Sequence, residues 1–282
     1  MLNIDANKKL RDLLLDQNCY NTATIFNPLS ARIAEQVGFN IGIVPGKIIS
    51  LDFLADPDLM LLTLTELTET VRRITKYAKI PLIVDADNGY GNAVNVCRTI
   101  ESLEDAGASG ISLEDTALPI KFGKTKYPEF LTIKEATLKI KLAVDRKCSK
   151  STSIIARTGI YPYEGINSAL ERGKSYESVG ADALFYINIS SKKDIEKIVK
   201  SHDIPIILGN NSTDFSLKEL SKMGVSISLP GHKAYYNAME AYRRSLENLY
   251  KTGEFDNLET DIDYINKLSN EEKNSEIIKK YM

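Results

Sequence analysis

Eight short apolar runs, separated by stretches of helical period, constrain this chain more than any other feature of it. They lie at residues 22–26, 41–44, 81–84, 110–114, 153–157, 183–187, 205–208 and 226–229. Runs such as Leu82-Ile83-Val84 and Ile206-Ile207-Leu208 do not alternate apolar with polar residues, which is the pattern of strands buried on both faces. Helical segments near residues 31–37, 64–77, 93–106, 133–146, 165–179, 194–200, 217–223 and 233–250 fall between or after them, several closed by glycine. Strand and helix alternating once per ~20–40 residues reads as a series of βα units. Eight such units point to an α/β fold of the (β/α)8 barrel type, with an open doubly wound sheet as the alternative. No G-x-G-x-x-G follows the first run and no G-x-x-x-x-G-K-S/T occurs, so the dinucleotide fingerprint and the P-loop are both missing.

The barrel is expected over residues 1–250. It opens with an amphipathic helix to Asp16, and Ser30 is expected to cap the helix 31–37. Residues 251–282 are rich in Asp, Glu and Lys and read as a peripheral helical extension. With 43% of 282 residues hydrophobic, the chain can bury a large core. A net charge of -2 argues against an electrostatically driven nucleic-acid binder. Apolar runs such as 59–62 are far shorter than a bilayer span, so no membrane partner is expected. Cys19, Cys97 and Cys148 lie far apart without C-x-x-C spacing and read as reduced thiols of a cytoplasmic protein. The opening residues lack the basic and apolar regions of a secretory leader.

In a barrel of this kind chemistry gathers at the carboxyl ends of the strands, so what each run ends on is informative. The third ends in Asp85-Ala86-Asp87-Asn88-Gly89-Tyr90-Gly91-Asn92, two carboxylates one residue apart followed by a glycine-rich turn. Other ends carry Asn27, Pro45-Gly46-Lys47, Glu114-Asp115, Arg157, Asn188, Asn210-Asn211 and Pro230-Gly231-His232. Acids at the mouth of a buried strand need a metal ion, a cation or backbone N–H groups. The simpler alternative is that they cap the next helix. Oxygen ligands without a Cys or His cluster favour Mg²⁺, or Mn²⁺, over zinc. The expected metal residues are Asp85 as direct ligand, with Asp87 and Glu114 holding its waters; for Glu114 a plain ion pair is the alternative. Arg157 is either a clamp on these acids or the group that takes a substrate carboxylate or enolate oxygen. Gly46 and Lys47 offer backbone N–H groups and a cation to an acidic substrate. His232, after its Pro-Gly turn, belongs to the site, whereas His202, near the end of a lysine-rich helix, reads as a solvated surface residue.

These residues resemble the isocitrate lyase and phosphoenolpyruvate mutase superfamily. Asp85 to Asn92 is similar to its metal-binding motif, Ser30-Ala31-Arg32 to its early motif, and Ala106 to Asp115 to its fourth-strand segment. Ile154-Ile155-Ala156-Arg157-Thr158 resembles the strand carrying its substrate-binding arginine, and the likeness runs over about residues 19–250. Its C–C lyases carry a cysteine in the loop after Asp115, where this chain has Phe122. Glu114-Asp115-Thr116, Leu118-Pro119, Phe122-Gly123 and Gly231-His232 instead resemble the oxaloacetate decarboxylase branch. Lys47 stands where that branch tends to have serine, and Asn211 where a tyrosine is expected.

The resemblance implies a Mg²⁺-dependent carboxy-lyase acting on oxaloacetate, or a similar small anionic 2-oxo diacid, through a metal-stabilised enolate. Arg157 and His232 would be catalytic, and Gly46, Lys47, Arg157, Asn211 and His232 would bind substrate. A phosphonopyruvate or phosphoenolpyruvate mutase-like enzyme, or a C–C lyase, is the alternative; a non-catalytic metal-binding barrel is a remoter one. The resemblance also implies a homo-oligomer, tetramer or dimer, with the aromatic helix 235–250 as a candidate interface.

Overall fold

Strand and helix alternate as the apolar runs require, and the strands close on themselves. The computed structural model describes residues 3–123, 128–210, 215–255 and 261–282. The order is α1 (Ile4–Leu15), β1 (Tyr20–Asn21), β2 (Ala23–Thr24), α2 (Pro28–Val37), β3 (Gly42–Val44), α3 (Gly46–Leu54), α4 (Leu64–Tyr77) and β4 (Leu82–Asp85). It continues with α5 (Ala93–Asp105), β5 (Gly110–Glu114), α6 (Ile133–Arg146), β6 (Ser153–Thr158), α7 (Tyr161–Ser178), β7 (Ala183–Ile187) and α8 (Lys192–Lys200). Then come β8 (Ile206–Gly209), α9 (Leu217–Met223), β9 (Ile227–Leu229), α10 (Lys233–Thr252), α11 (Ile262–Leu268) and α12 (Glu271–Tyr281).

All strand pairs are parallel, in the order β1-β9-β8-β7-β6-β5-β4-β3-β2. The ninth strand arises because the first of the expected eight is split at Thr22, so that β1 pairs with β9 while β2 pairs with β3. The Thr22 N–H still donates to the Ser228 carbonyl at 3.3 Å, which carries the first strand across the seam. The result is a (β/α)8 barrel. Its interior holds Ile41, Ile43, Ile83, Ile155, Phe185, Ile207, Ile227 and Leu229, with Leu10 and Leu14 of α1 as a plug. A larger apolar layer, including Leu67, Val71, Leu82, Val84, Ile100, Ile111, Leu113 and Ile154, lies between the strands and the helices. The two clusters take alternate residues of each strand, as the pleat demands: Ile83 faces in while Leu82 and Val84 face out.

Four local readings need correction. The helix over residues 31–37 begins earlier: Asn27 is its N-cap, Pro28 follows, and Ser30 sits at the third helical position of a capping box. There Asn27 Oδ1 accepts the Ser30 N–H at 2.8 Å, while Ser30 Oγ accepts the Asn27 N–H at 3.0 Å. Pro45-Gly46, placed at the end of the second run with no helix expected from there to residue 64, starts α3 with Pro45 as its N-cap. The helix expected from Gly165 starts at Tyr161 and kinks at Gly165, where φ is 78°. His202 is not a solvated residue. Its side chain has no exposed surface and bridges Glu177 (2.7 Å) and the buried Tyr186 hydroxyl (2.8 Å).

The C-terminal end is helical, and α11 lies against α2, where an Arg32 guanidinium N–H donates to the Leu268 carbonyl. The last barrel helix, α10, runs on to Thr252. Among the described residues no helix is long and apolar enough to cross a membrane.

Candidate active site

The two-residue period that puts Ile83, Gly110 and Ile155 inside the barrel also puts Asp85, Glu114 and Arg157 inside, at its carboxyl mouth. Glu114 and Arg157 are register partners across β5 and β6. Arg157 reaches both acids, with Nη1 donating to Asp85 Oδ2 at 2.7 Å and Nη2 lying 3.0 Å from Glu114 Oε2. Its guanidinium stacks over the Phe185 ring at 5.7 Å. Burial works against this cation, but Asp85, Glu114 and Asp87 hold it protonated. Of the two roles open to Arg157, the clamp is therefore present in the structure.

Past β4 the chain turns sharply, with positive φ at Asp87, Gly89, Tyr90 and Gly91. A Cβ on Gly89 would meet Val96 Cγ2 at 2.6 Å, so this turn admits only glycine there. The turn brings the Asp87 carboxylate beneath the N-terminus of α3, where a Cβ on Gly46 would lie 3.3 Å from Asp87 Oδ1. Gly46 and Lys47 are the first two residues of that helix, so their N–H groups have no intrahelical acceptor.

A cavity of about 260 Å³ opens here, lined by Lys47, Asp85, Arg157 and His232 among the expected residues, over an apolar wall of Ile43, Phe185, Ile187 and Leu229. Gly46, Asp87 and Glu114 are not among its lining residues. The His232 ring is oriented by Thr24, whose Oγ1 is 2.9 Å from Nδ1. Desolvation pushes its pKa below the usual 6.5, and Lys47 and Arg157 push the same way against Asp85. Asn211 lies outside the described residues.

Three further polar side chains, those of Asp58, Asn188 and Asn210, line the cavity and were not assigned to the site from sequence. Asp58, in the turn after α3, has a pKa raised by desolvation and by Asp85, with Arg157 and Lys47 opposing. Nothing in Asp56-Pro57-Asp58 signals this; only folding of that turn over the mouth does. Asn188 and Asn210 follow β7 and β8 with φ of 62° and 49°, and Asn210 Nδ2 donates to Asn188 Oδ1. Consecutive strand ends carrying asparagine, which tolerates the left-handed region, were the available clue.

Asp85 and Glu114 thus pair with Arg157, while Asp87 and Asp58 crowd the same mouth with no ion pair of their own among the described residues. Asp87 is 8% exposed, and desolvation followed by the charges of Asp85, Asp58 and Glu114 raises its pKa well above the carboxylate range. Glu114 is raised by burial too, against the pull of Arg157. This surplus of negative charge in oxygen donors suits a hard divalent cation. Among the described residues no three His, Cys, Asp or Glu groups stand together as a direct cage. The arrangement fits an ion that keeps most of its water, with one carboxylate in direct contact.

The family model described as phosphoenolpyruvate phosphomutase matches residues 10–250. An oxaloacetate decarboxylase of Rhodopseudomonas palustris (strain BisB18) is 42% identical over 233 residues, which is 82% of this chain and 81% of that protein. The crystal structure of a phosphonopyruvate hydrolase complexed with oxalate and Mg²⁺ superposes with a TM-score of 0.89 at 28% identity, covering 100% of this chain and 99% of that one. An oxaloacetate acetylhydrolase holding the inhibitor 3,3-difluorooxalacetate gives 0.87 at 25% identity, covering 97% and 96%. The chain belongs to the phosphoenolpyruvate phosphomutase family.

Proposed function

We propose that this protein is a Mg²⁺-dependent decarboxylase of oxaloacetate, or of a 2-oxo diacid close to it in size. The observation that carries this reading is the acid cluster of Asp85, Asp87 and Glu114, held on Arg157 at the edge of a small cavity. The named activity of the 42% identical relative supports it. So does the absence of any cysteine among the described residues lining the cavity, since the family's C–C lyases use one. Phe122, in the cysteine's place, is fully exposed.

Asp85 would hold the ion directly, with Asp87, Glu114 and Asp58 holding its waters; Mn²⁺ would serve in the same place. When bound, the ion supplies Lewis-acid polarisation of the substrate's 2-oxo group. The N–H groups of Gly46 and Lys47, at the positive end of α3, bind the C1 carboxylate. The C3–C4 bond breaks, CO₂ leaves, and its electron pair moves through C3 to the C2 oxygen. Arg157 stabilises that developing charge from a position the acids already fix, so little reorganisation is needed. His232 binds the substrate from the opposite rim; Asn211 is proposed as a further substrate-binding residue. Proton return to C3 gives pyruvate, and the neutral imidazole of His232 orders the water or acid that delivers it. The apolar wall keeps bulk water from the enolate.

Presenting oxaloacetate, phosphonopyruvate and 2-methylisocitrate side by side with Mg²⁺ tests the assignment. Pyruvate and CO₂ in equal amounts from oxaloacetate, at a rate well above the other two, is the expected result. Preferred cleavage of phosphonopyruvate or 2-methylisocitrate overturns it.

We also propose a cytoplasmic homo-oligomer. The described cysteines are free thiols, and α10 exposes a row formed by Tyr236, Met239, Tyr242, Leu246 and Tyr250 that a second copy would cover. Light scattering that gives a dimer or tetramer mass supports this; a monomer mass at micromolar concentration contradicts it.

A further inference from the structure

The turn that carries Asp87 is held from outside the barrel by a lysine that the mechanism does not use. Lys139 lies on α6, and its Nζ donates to the Glu114 carbonyl at 2.8 Å and to the Asn88 carbonyl at 3.2 Å. Lysines on a helix surface ordinarily carry the ammonium out to water. Here the ammonium is turned inward, mostly withdrawn from solvent, and bonded to main-chain oxygens. An inward ammonium is costly unless its hydrogen bonds are well placed, so its location is informative.

The neighbouring bonds show what it does. β4 and β5 pair in register up to Asp85 and Ser112. Beyond that, the Ala86 N–H donates to the Ser112 carbonyl at 3.0 Å and the Glu114 N–H to the Asp87 carbonyl at 2.8 Å. Lys139 supplies the next link, tying Asn88 to Glu114 where the two chains diverge. The remaining turn is held by neutral donors: the Gly89 carbonyl accepts from Thr99 Oγ1 at 3.0 Å, and the Asn88 side chain donates to the Leu118 carbonyl at 2.8 Å. Lys139 is the one charged donor joining the Asp87 turn to the Glu114 strand end among the described residues. Pulling it away frees two carbonyls and lets the carboxylates of Asp87 and Glu114, which repel each other, move apart.

We propose that Lys139 is a positioning residue for the cation seat, setting the separation of Asp87 and Glu114 through their main chains. The inference rests on the reading of these acids as that seat. Outer-shell partners of this kind typically change ion affinity by about 10–100-fold.

The test is Mn²⁺ binding to the full-length protein, followed by the EPR signal of free Mn²⁺ without substrate, for wild type, Lys139→Met and Lys139→Arg, beside urea unfolding of each. Lys139→Met is expected to weaken Mn²⁺ binding at least about tenfold. Lys139→Arg, which keeps a cationic donor, is expected to recover most of that loss. At saturating Mn²⁺, kcat in Lys139→Met should approach the wild-type value, since the lysine touches no reacting atom. Should Lys139→Met fail to fold, Lys139→Gln takes its place with the same expectation. Wild-type-like Mn²⁺ affinity in the neutral variant, or an arginine variant as weak as the methionine one, overturns the role of Lys139. A wild-type protein that binds no Mn²⁺ overturns the cation seat itself.

Discussion

The two mouths of the barrel each hold a cluster of charge, and they are built on opposite terms. At the amino mouth, Asp182 is fully satisfied: it accepts from Arg11 Nη2 (2.9 Å), Lys147 Nζ (2.7 Å) and the Ile154 N–H (2.8 Å). One carboxylate meets two cations and a main-chain donor, and the cluster ties β6 and β7 to α1 and to the chain after α6. At the carboxyl mouth, Asp85 and Glu114 pair with Arg157, while Asp87 beside them has neither an ion pair nor a side-chain hydrogen bond among the described residues. A matched cluster is costly to break, because losing one partner leaves charge unpaired; an unmatched one carries that cost until something arrives. The difference separates scaffold from site without reference to any relative.

Mutating one acid in each cluster should therefore give opposite signatures. Turnover shows the largest effect: Asp85→Ala should lose about 10³-fold in kcat/KM, corresponding to roughly 4 kcal/mol of transition-state stabilisation by the ion. Asp182→Asn, assayed where it is folded, should stay within a few fold of wild type. Stability reverses the order. Asp182→Asn leaves Lys147 and Arg11 with only their main-chain acceptors, the Thr152 and Lys150 carbonyls, and should cost about 2 kcal/mol in urea unfolding. Asp87→Asn, which relieves a like-charge cluster, should leave the metal-free protein as stable or raise its Tm. A destabilised Asp87→Asn would break the comparison, because it would mean that the upper cluster is also balanced.

Adding Mg²⁺ sharpens it further. At about 100 times its Kd a bound ion stabilises the folded state by roughly 2.7 kcal/mol. That gain should appear in wild type and in Asp182→Asn, and vanish in Asp85→Ala, as measured by unfolding with and without Mg²⁺. The smallest effect is on pH. His232 titrates below 6.5 in the folded protein because burial disfavours its charged form. As pH falls from 6.5 through that lower value, the unfolded chain takes up the proton first, so stability present above pH 6.5 is lost. The wild-type urea midpoint should drop more steeply over this window than that of His232→Asn; equal slopes would contradict a neutral, buried imidazole.

How much of this the residues announce differs between the mouths. The apolar runs give the barrel because burial on both faces leaves a local mark, and strand ends then locate Asp85, Glu114, Arg157 and His232. Nothing local marks Asp58, which reaches the cavity only through the fold of the turn after α3. Pro45-Gly46 misleads because the same pair that ends a strand also starts a helix, α3, with its N-terminus on Asp87. Ser30 misleads because reciprocal capping makes Asn27 and Ser30 look equally suited, and only the backbone bonds say which is the cap. His202 looks like a surface residue from its lysine-rich neighbours, while the partners that bury it, Glu177 and Tyr186, lie 25 and 16 residues away. The Asp182 cluster is equally silent, being assembled from Arg11, Lys147 and Asp182 on separate segments. Groups that act along one strand are legible, and groups that act across segments are not.

The most direct test of an unbalanced rim as a cation seat is an anomalous-difference map from crystals of the full chain grown with Mn²⁺. One strong peak is expected at the carboxyl mouth in contact with the Asp85 carboxylate, with Asp87 and Glu114 reaching it through water, and no peak at Asp182. A map without a peak at Asp85, or with the ion at Asp182 instead, would contradict it.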